Sequence, residues 1–459
     1  MKTIILFTLI LLLTSSLISI TLEDSIELAI KNNLSLRSAG EDIAIAREFY
    51  REVTSALLPQ ISFNGGYQLL RTELPGSMIP PAFNITDELS ENATEDDELL
   101  AAYIEQGFNM LIPEQKQDET NFFGQIKLDQ VVYLGGKLLS GIKAAGIYRT
   151  VEAKRYELTK QNLIYETTDL FYQGLLLTDV VEINREALEL AEQHYNRISS
   201  MYGQGLVSEF DLIRAELELH KLQPQLMEAE NNYSLWQESF KKHLGLGIDY
   251  DLTLQGEIAV PPEIEVELDE AIESGKSERI ELYLSGAVRD MYEINWRAER
   301  GNYLPNVALS AEYNRFSNIN KFTWEPDDFG SSYQVMLGIQ IPIFKGFGNR
   351  AKTAQARHQY NKATLDYLDL QDMIELDIRN AYLRLAHAQK NYETQVLRIG
   401  LAERGLNIAT ARYESQVGIN LEVLDAQLEH KIARLAYLQA AYEITMAQKA
   451  LHKSMGIIF

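Results

Sequence analysis

The stretch Ile374–Ala409, IELDIRNAYLRLAHAQKNYETQVLRIGLAERGLNIA, decides the fold. Its apolar positions are Ile374, Ile378, Ala381, Leu385, Ala388, Tyr392, Val396, Ile399, Ala402, Leu406 and Ala409. Ten steps cover 35 positions, a mean period of about 3.5, the repeat of helices packed as coiled coils. The pattern fits one helix from Asn349 to Tyr413, roughly 100 Å long at about 1.5 Å per residue, far longer than the helices of ordinary globular cores. Tyr413–Gln427, YESQVGINLEVLDAQ, contains a turn, with Gly418 as the backbone break and Asn420 as N-cap. A second helix then folds back to Lys453.

The same unit occurs earlier. Shifted by 211 positions, Tyr413 falls on Tyr202, Ala426 on Ala215, Leu428 on Leu217, Glu429 on Glu218, Gln448 on Gln237 and Gly456 on Gly245. Upstream, Phe344 falls on Tyr133, Gly346 on Gly135 and Tyr367 on Tyr156, without a gap. Self-similarity over this length marks an internal duplication.

Around this frame, Leu22–Leu57 and Asp269–Tyr303 read as helices, the first with a break at Asn32–Asn33. Each is stopped by Leu-Pro, at Leu58–Pro59 and Leu304–Pro305, and these fall on each other at an offset of 246. Four alternating runs read as strands: Ile61–Leu70, Asn121–Leu128, Asn306–Asn314 and Ser332–Phe344. Ile61, Phe63, Tyr67 and Leu69 share one face of the first, and Tyr333, Val335, Leu337, Ile339 and Ile341 one face of the last. Residues 246–266, with Pro261–Pro262, read as an irregular linker between a first repeat (20–245) and a second (267–459). The first copy carries about 35 extra residues, the difference of the two offsets, in Thr72–Thr120. That loop holds twelve Asp and Glu against one Lys. Pro75, Pro80, Pro81 and Pro113 oppose regular structure there, though Asp96–Gln106 fits a short helix.

Residues 1–19 have the pattern of a signal peptide, with Lys2, an apolar run from Ile4 to Leu13 and small residues near the cut. Beyond Ile20 no run of about 18 apolar residues appears, so any spanning part must be β. The formal charge of −24 opposes nucleic-acid binding, which needs basic patches. There is no cysteine, hence no disulfide. The seven histidines are scattered without metal-ligand spacing, and no catalytic constellation or cofactor motif is apparent. Four strands cannot close a water-filled barrel, and open edges in lipid leave amides unpaired. Spanning strands would therefore be shared among several copies.

In this duplicated frame, Leu22–Asn33 (LEDSIELAIKNN), the two Leu-Pro strand entries, Tyr133–Lys137 (YLGGK), Pro342–Ala351 (PIFKGFGNRA), Tyr202–Ala215 (YGQGLVSEFDLIRA) and Tyr413–Gln427 resemble the TolC family of outer-membrane efflux proteins. The resemblance covers essentially the whole mature chain. It implies a mainly α protein with a membrane β-barrel: a homotrimer whose twelve-stranded barrel in outer-membrane lipid continues into a twelve-helix periplasmic α-barrel. It implies docking on a periplasmic adaptor fed by an inner-membrane pump, in efflux or type I secretion, and no enzymatic activity. It also implies that the helical turns (Gly205, Leu206, Val207, Ser208; Val417, Gly418, Ile419, Asn420) meet the adaptor. Glu422 and Asp425, three apart on one helix face, would line the aperture. Asp211 and Tyr413 would make gating contacts, Tyr413 towards a neighbouring chain. The alternative role for acidic residues beside a turn is stabilising the helix N-terminus. Gly418 stands where some relatives carry a basic residue, which removes an ionic lock from that position. A non-conducting coiled-coil scaffold or adaptor is the competing reading, and it leaves the amphipathic strands unexplained.

The acidic loop 72–120 joins strands at the end remote from the helices, so it should face the cell exterior. Protease added to intact cells should cut it. Cleavage only after the outer membrane is opened would invert the topology.

Overall fold

The computed structural model describes residues 18–457, except 91, 113–115, 248, 251, 261, 263–265, 319–324 and 416. The first 17 residues of the expected signal peptide, and Pro113 and Pro261, lie outside the described residues. In chain order the elements are β1 (Ile18–Ile20), α1 (Leu22–Asn32), α2 (Leu34–Ser55), β2 (Gln60–Glu73), α3 (Glu95–Asn109), β3 (Lys116–Leu134), α4 (Lys137–Gly203) and α5 (Glu209–His243). There follow β4 (Leu252–Leu254), α6 (Leu268–Glu278), α7 (Ile280–Arg300), β5 (Asn306–Asn318), β6 (Gly330–Gln340), α8 (Gly348–Glu414) and α9 (Asn420–Ser454).

The duplication is metrically strict. α4 and α8 are both 67 residues, and α5 and α9 both 35, with all boundaries 211 apart. The cores repeat likewise. Leu36, Leu163, Phe240 and Leu244 are buried in one cluster, and their counterparts Leu282, Ile374, Leu451 and Met455 in the other. Compactness divides the chain across the repeats. One unit comprises 1–50, 143–296 and 354–459, and the other 51–142 and 297–353.

In the helical unit, the apolar stripe of α8 is buried at Ile374, Ile378, Ala381, Leu385 and Ala388. The expected break after α1 is built by Asn33. Its Oδ1 accepts the amides of Ser35 (2.9 Å) and Leu36 (3.2 Å) at the start of α2, and its Nδ2 donates to the His243 carbonyl at the end of α5 (3.3 Å). One side chain thus satisfies the orphan groups of two helix ends.

Several expectations are corrected. Asp269–Tyr303 is interrupted at Arg279, which pairs with Glu281 (2.8 Å) and with Asp377 of α8 (2.6 Å). The 246–266 linker contains β4, paired in parallel with β1, so Ile18 and Ser19, inside the expected signal peptide, form a strand with Leu252 and Thr253. The last strand ends at Gln340 rather than Phe344, since Pro342 has no amide to donate. The acidic loop holds a longer helix than expected. Thr94 caps α3 through a capping box with Asp97, and Glu105 accepts the Ile85 and Thr86 amides, both at 3.1 Å.

The second unit carries a four-stranded antiparallel sheet in the order β2-β3-β5-β6. Register aligns the alternating residues across every strand. Ile61 opposes Leu128, Leu128 opposes Ala311, and Ala311 opposes Val335. Phe63, Ile126, Tyr313 and Tyr333 form the next row. This apolar face is bare within the chain, with Phe63 72% and Tyr333 86% exposed. The other face is a polar ladder. The rows Asn64–Gln125–Asn314–Ser332 and Ser62–Lys127–Glu312–Gln334 cross it, with Gln125 donating to Glu312 (3.3 Å) and Lys127 beside Asp129 (3.1 Å).

Where β3 gives way to α4, Gly135 adopts φ +61 and its backbone lies against Gly301. A Cβ on either glycine would sit 2.2 Å from the other's carbonyl oxygen. Gly301→Ala should therefore cost about 1–3 kcal/mol through overpacking, read as lost heat stability. Gly141→Ala, whose Cβ would meet only Val53 at 3.8 Å inside α4, should be neutral or stabilising by about 0.5–1 kcal/mol. Equal effects would contradict the close approach.

Candidate functional site: the turns of the helical hairpins

The two hairpins, α4–α5 and α8–α9, end in turns that differ in how they are capped. In the first, Gly205 has φ +73, and the Leu206 amide returns to the Met201 carbonyl (2.9 Å). Ser208 caps α5 in a capping box: Asp211 Oδ2 accepts from Ser208 Oγ at 2.6 Å, and the Asp211 amide donates to that hydroxyl at 3.2 Å. Within the chain Asp211 therefore stabilises the start of α5.

In the second turn the amides of Val417 and Gly418 both donate to the Arg412 carbonyl at 2.9 Å. Asn420, expected as N-cap, is the first residue of α9. Ile419 occupies the cap and supplies no side-chain bond. Asn420 is instead buried, its Oδ1 2.5 Å from His194 Nε2 on α4. A carboxamide oxygen only accepts, so Nε2 carries the proton. Asn420 Nδ2 is buried without a partner, which leaves a donor whose burial costs roughly 1–3 kcal/mol.

Further contacts link the hairpins here. The His194 ring lies 6.0 Å from that of Tyr413, tilted by 56°, and the Tyr413 hydroxyl reaches Met201 Sδ at 3.9 Å. Arg197 of α4 pairs with Glu414 of α8 at 3.3 Å. Burial pushes the Tyr413 hydroxyl pKa up, and the nearby Asp211 charge adds to the effect. Tyr413 thus stands close enough to Asp211 to feel it, but within the chain it bonds to Met201.

Of the expected aperture residues, Glu422 and Asp425 are both exposed in the first turns of α9. Glu422 Oε2 lies 3.3 Å from Arg412 Nε. A Cβ at Gly418 would sit 3.1 Å from both that carboxylate oxygen and Arg412 Cβ. Glycine therefore leaves room for an ion pair whose cation, Arg412, comes from the preceding helix. Half-exposed, such a pair is worth about 0–1 kcal/mol. The turns also bear exposed apolar side chains, Leu206 and Phe210 on one and Val417 and Ile419 on the other. Gly205, Val207 and Ser208 complete the first turn.

His194 and Arg412 were missed by sequence reasoning. A signal existed for His194. SEFD carries the capping-box pattern and INLE, its counterpart, does not, so Asn420 was free to turn elsewhere.

A sheet with one bare apolar face and one polar face, joined to two coiled-coil hairpins of equal length, defines an outer-membrane channel of the mixed α/β barrel class. The model of the outer membrane efflux protein family matches residues 25–246 and 281–457, and the chain belongs to that family. The outer membrane efflux protein BepC of Brucella suis biovar 1 is 21% identical over 441 residues, spanning 96% of this chain and 86% of that protein. The outer membrane protein TolC of Vibrio cholerae is 20% identical over 93% of this chain and 89% of its own. The crystal structure of the Campylobacter jejuni CmeC outer membrane channel superposes with a TM-score of 0.76 at 18% identity, over 95% of this chain and 85% of that one. Membership places the chain in the outer membrane as a transport conduit, not an enzyme.

Burial holds the His194 pKa below its ordinary 6.5; the bond to Asn420 pulls it back up, and Arg197 pushes it down. A histidine kept neutral by the fold takes up its proton more readily once the contact opens. Its linkage is therefore silent above about pH 6.5 and disfavours the packed turn as pH falls below that value. Heat stability should fall between pH 7.5 and 5, and His194→Gln, which keeps a neutral donor for Asn420, should flatten part of that fall. An unchanged pH dependence in the variant would remove His194 from the linkage.

Proposed function

We propose that three copies of this chain form the exit duct of a tripartite efflux or type I secretion system. The sheet carries this reading. Its register gives adjoining apolar rows for outer-membrane lipid, bordered by the row Gly65–Gly124–Arg315–Ser331, and a mainly polar face for a lumen, while β2 and β6 remain open edges that further copies can pair. The sequence of relatives such as TolC of Vibrio cholerae supports the same architecture.

The hairpin turns form the periplasmic end. Leu206, Phe210, Val417 and Ile419 offer apolar contacts to a periplasmic adaptor, and the adaptor connects the duct to an inner-membrane pump. Glu422 and Asp425 of each chain converge at the narrow point. Like charges repel there, so closure depends on other contacts: Arg412 on Glu422, His194 on Asn420, Tyr413 on Met201 and Arg197 on Glu414. An adaptor that separates α4 from the α8–α9 turn would break three of these contacts together. The pump supplies the energy and the duct only needs to open.

A ring of carboxylates concentrates cations and offers multivalent cations several oxygens. Glu422→Gln with Asp425→Asn should weaken cation selectivity and relieve multivalent-cation block from the periplasmic side in planar bilayers. Arg412→Ala, which frees Glu422, should shift selectivity further towards cations. Unchanged selectivity and block in the double variant would remove these residues from the aperture.

A further inference from the structure

Inside the helical unit, a cavity of 140 Å³ lies where the two hairpins meet. Ile183 and Leu190 of α4, Leu222 of α5, Leu406 of α8 and Leu424 of α9 form its apolar wall. The site is a partly open cleft, with Leu190 exposed at its rim, and this much space holds a benzene-sized group. Its lining also contains two acids and two cations that differ in how they are paired. Glu186 bonds Arg434, and Glu218 pairs with Lys221 at 3.3 Å. Among the described residues Lys431 bonds only a neutral partner, Gln225 Oε1 at 2.6 Å, although the residue is 9% exposed. An ammonium has three donors, so two of its N–H groups lack a protein acceptor within bonding distance.

Lys431 feels the Glu218 carboxylate only at a distance, since Glu218 is paired with Lys221; a buried ammonium with no carboxylate bonded to it is costly, and the cavity beside it has room for one. Burial lowers the Lys431 pKa, while Glu218 raises it and Lys221 lowers it. His430, also in the lining, is held below its ordinary value by burial first and by Arg434, with Glu403 and Glu186 opposing. It adds no cation near neutral pH, and Arg434 is already engaged.

We propose that this cavity binds a small organic monoanion with an apolar body of about benzoate size. Its carboxylate sits on Lys431 Nζ and its body lies among the leucines and Ile183. The site is built from both hairpins, so an occupant ties them together and stabilises the pair against separation. Water alone would fill the volume but leave the charge uncompensated, and it would gain nothing from the apolar wall. This assignment concerns binding and does not depend on conduction.

The test is titration of sodium benzoate into the intact protein purified in detergent, followed by saturation-transfer NMR and by heat stability. Wild type should show a saturable signal and a benzoate-dependent rise in unfolding temperature. Lys431→Met, which keeps the stem and removes the charge, should weaken binding at least tenfold. Ala187→Leu fills the cavity from α4 while leaving Lys431 in place, and should weaken it comparably. Uptake by detergent micelles would be unsaturable and equal in all three proteins. No saturable binding to wild type, or variants that bind benzoate as tightly as wild type, would overturn the assignment whether or not the protein conducts.

Discussion

A backbone amide left unpaired in hydrocarbon costs several kcal/mol, and the open sides of β2 and β6 each carry a row of them. In water this edge would be an aggregation hazard. In a membrane it becomes an instruction: another sheet must pair there, and with only four strands from each chain that sheet must come from another copy. The apolar rows through Ile61 and Phe63 are useful only under that condition. The polar rows through Asn64 and Ser62 face inward only if the sheet closes on itself.

The helices solve a related problem at their ends. Each terminus leaves four amides or four carbonyls without partners, and two hairpins plus the shorter helices α1, α2, α6 and α7 multiply these. Asn33 satisfies the end of α5 and the start of α2 with one side chain. The second copy uses Arg279 at the matching place, but spends it on Glu281 and Asp377. The tip shows the same divergence. Ser208 caps α5 locally, whereas Ile419 does not cap α9, and Asn420 is drawn to His194. Duplication fixed the lengths, and divergence of the caps made one hairpin self-contained and the other dependent on its neighbour.

Much of this was legible in the chain. Period 3.5 in Ile374–Ala409 and the two constant offsets gave the hairpins and their lengths. Alternation gave the strands, because a lipid-facing residue and a lumen-facing residue differ in polarity at every step. Breaks and caps were less legible. Arg279 carries no proline or glycine to announce an interruption, and β4 is three residues of a loop paired with β1, a contact no local pattern encodes. At the tip, acidic residues beside a turn look the same whether they cap a helix or line a pore. The structure adds their partners within the chain, Ser208 for Asp211 and Arg412 for Glu422. His194 was one of seven scattered histidines, and its meaning depends on a partner 226 positions away.

The central claim is that the barrel is shared among copies, and it is tested most directly by the mass of the conducting species. Native mass measurement should be made on protein released from the same detergent preparation that conducts in planar bilayers. The account predicts three chains per particle, with conductance lost when the particle dissociates. A folded, conducting particle containing one chain would contradict it.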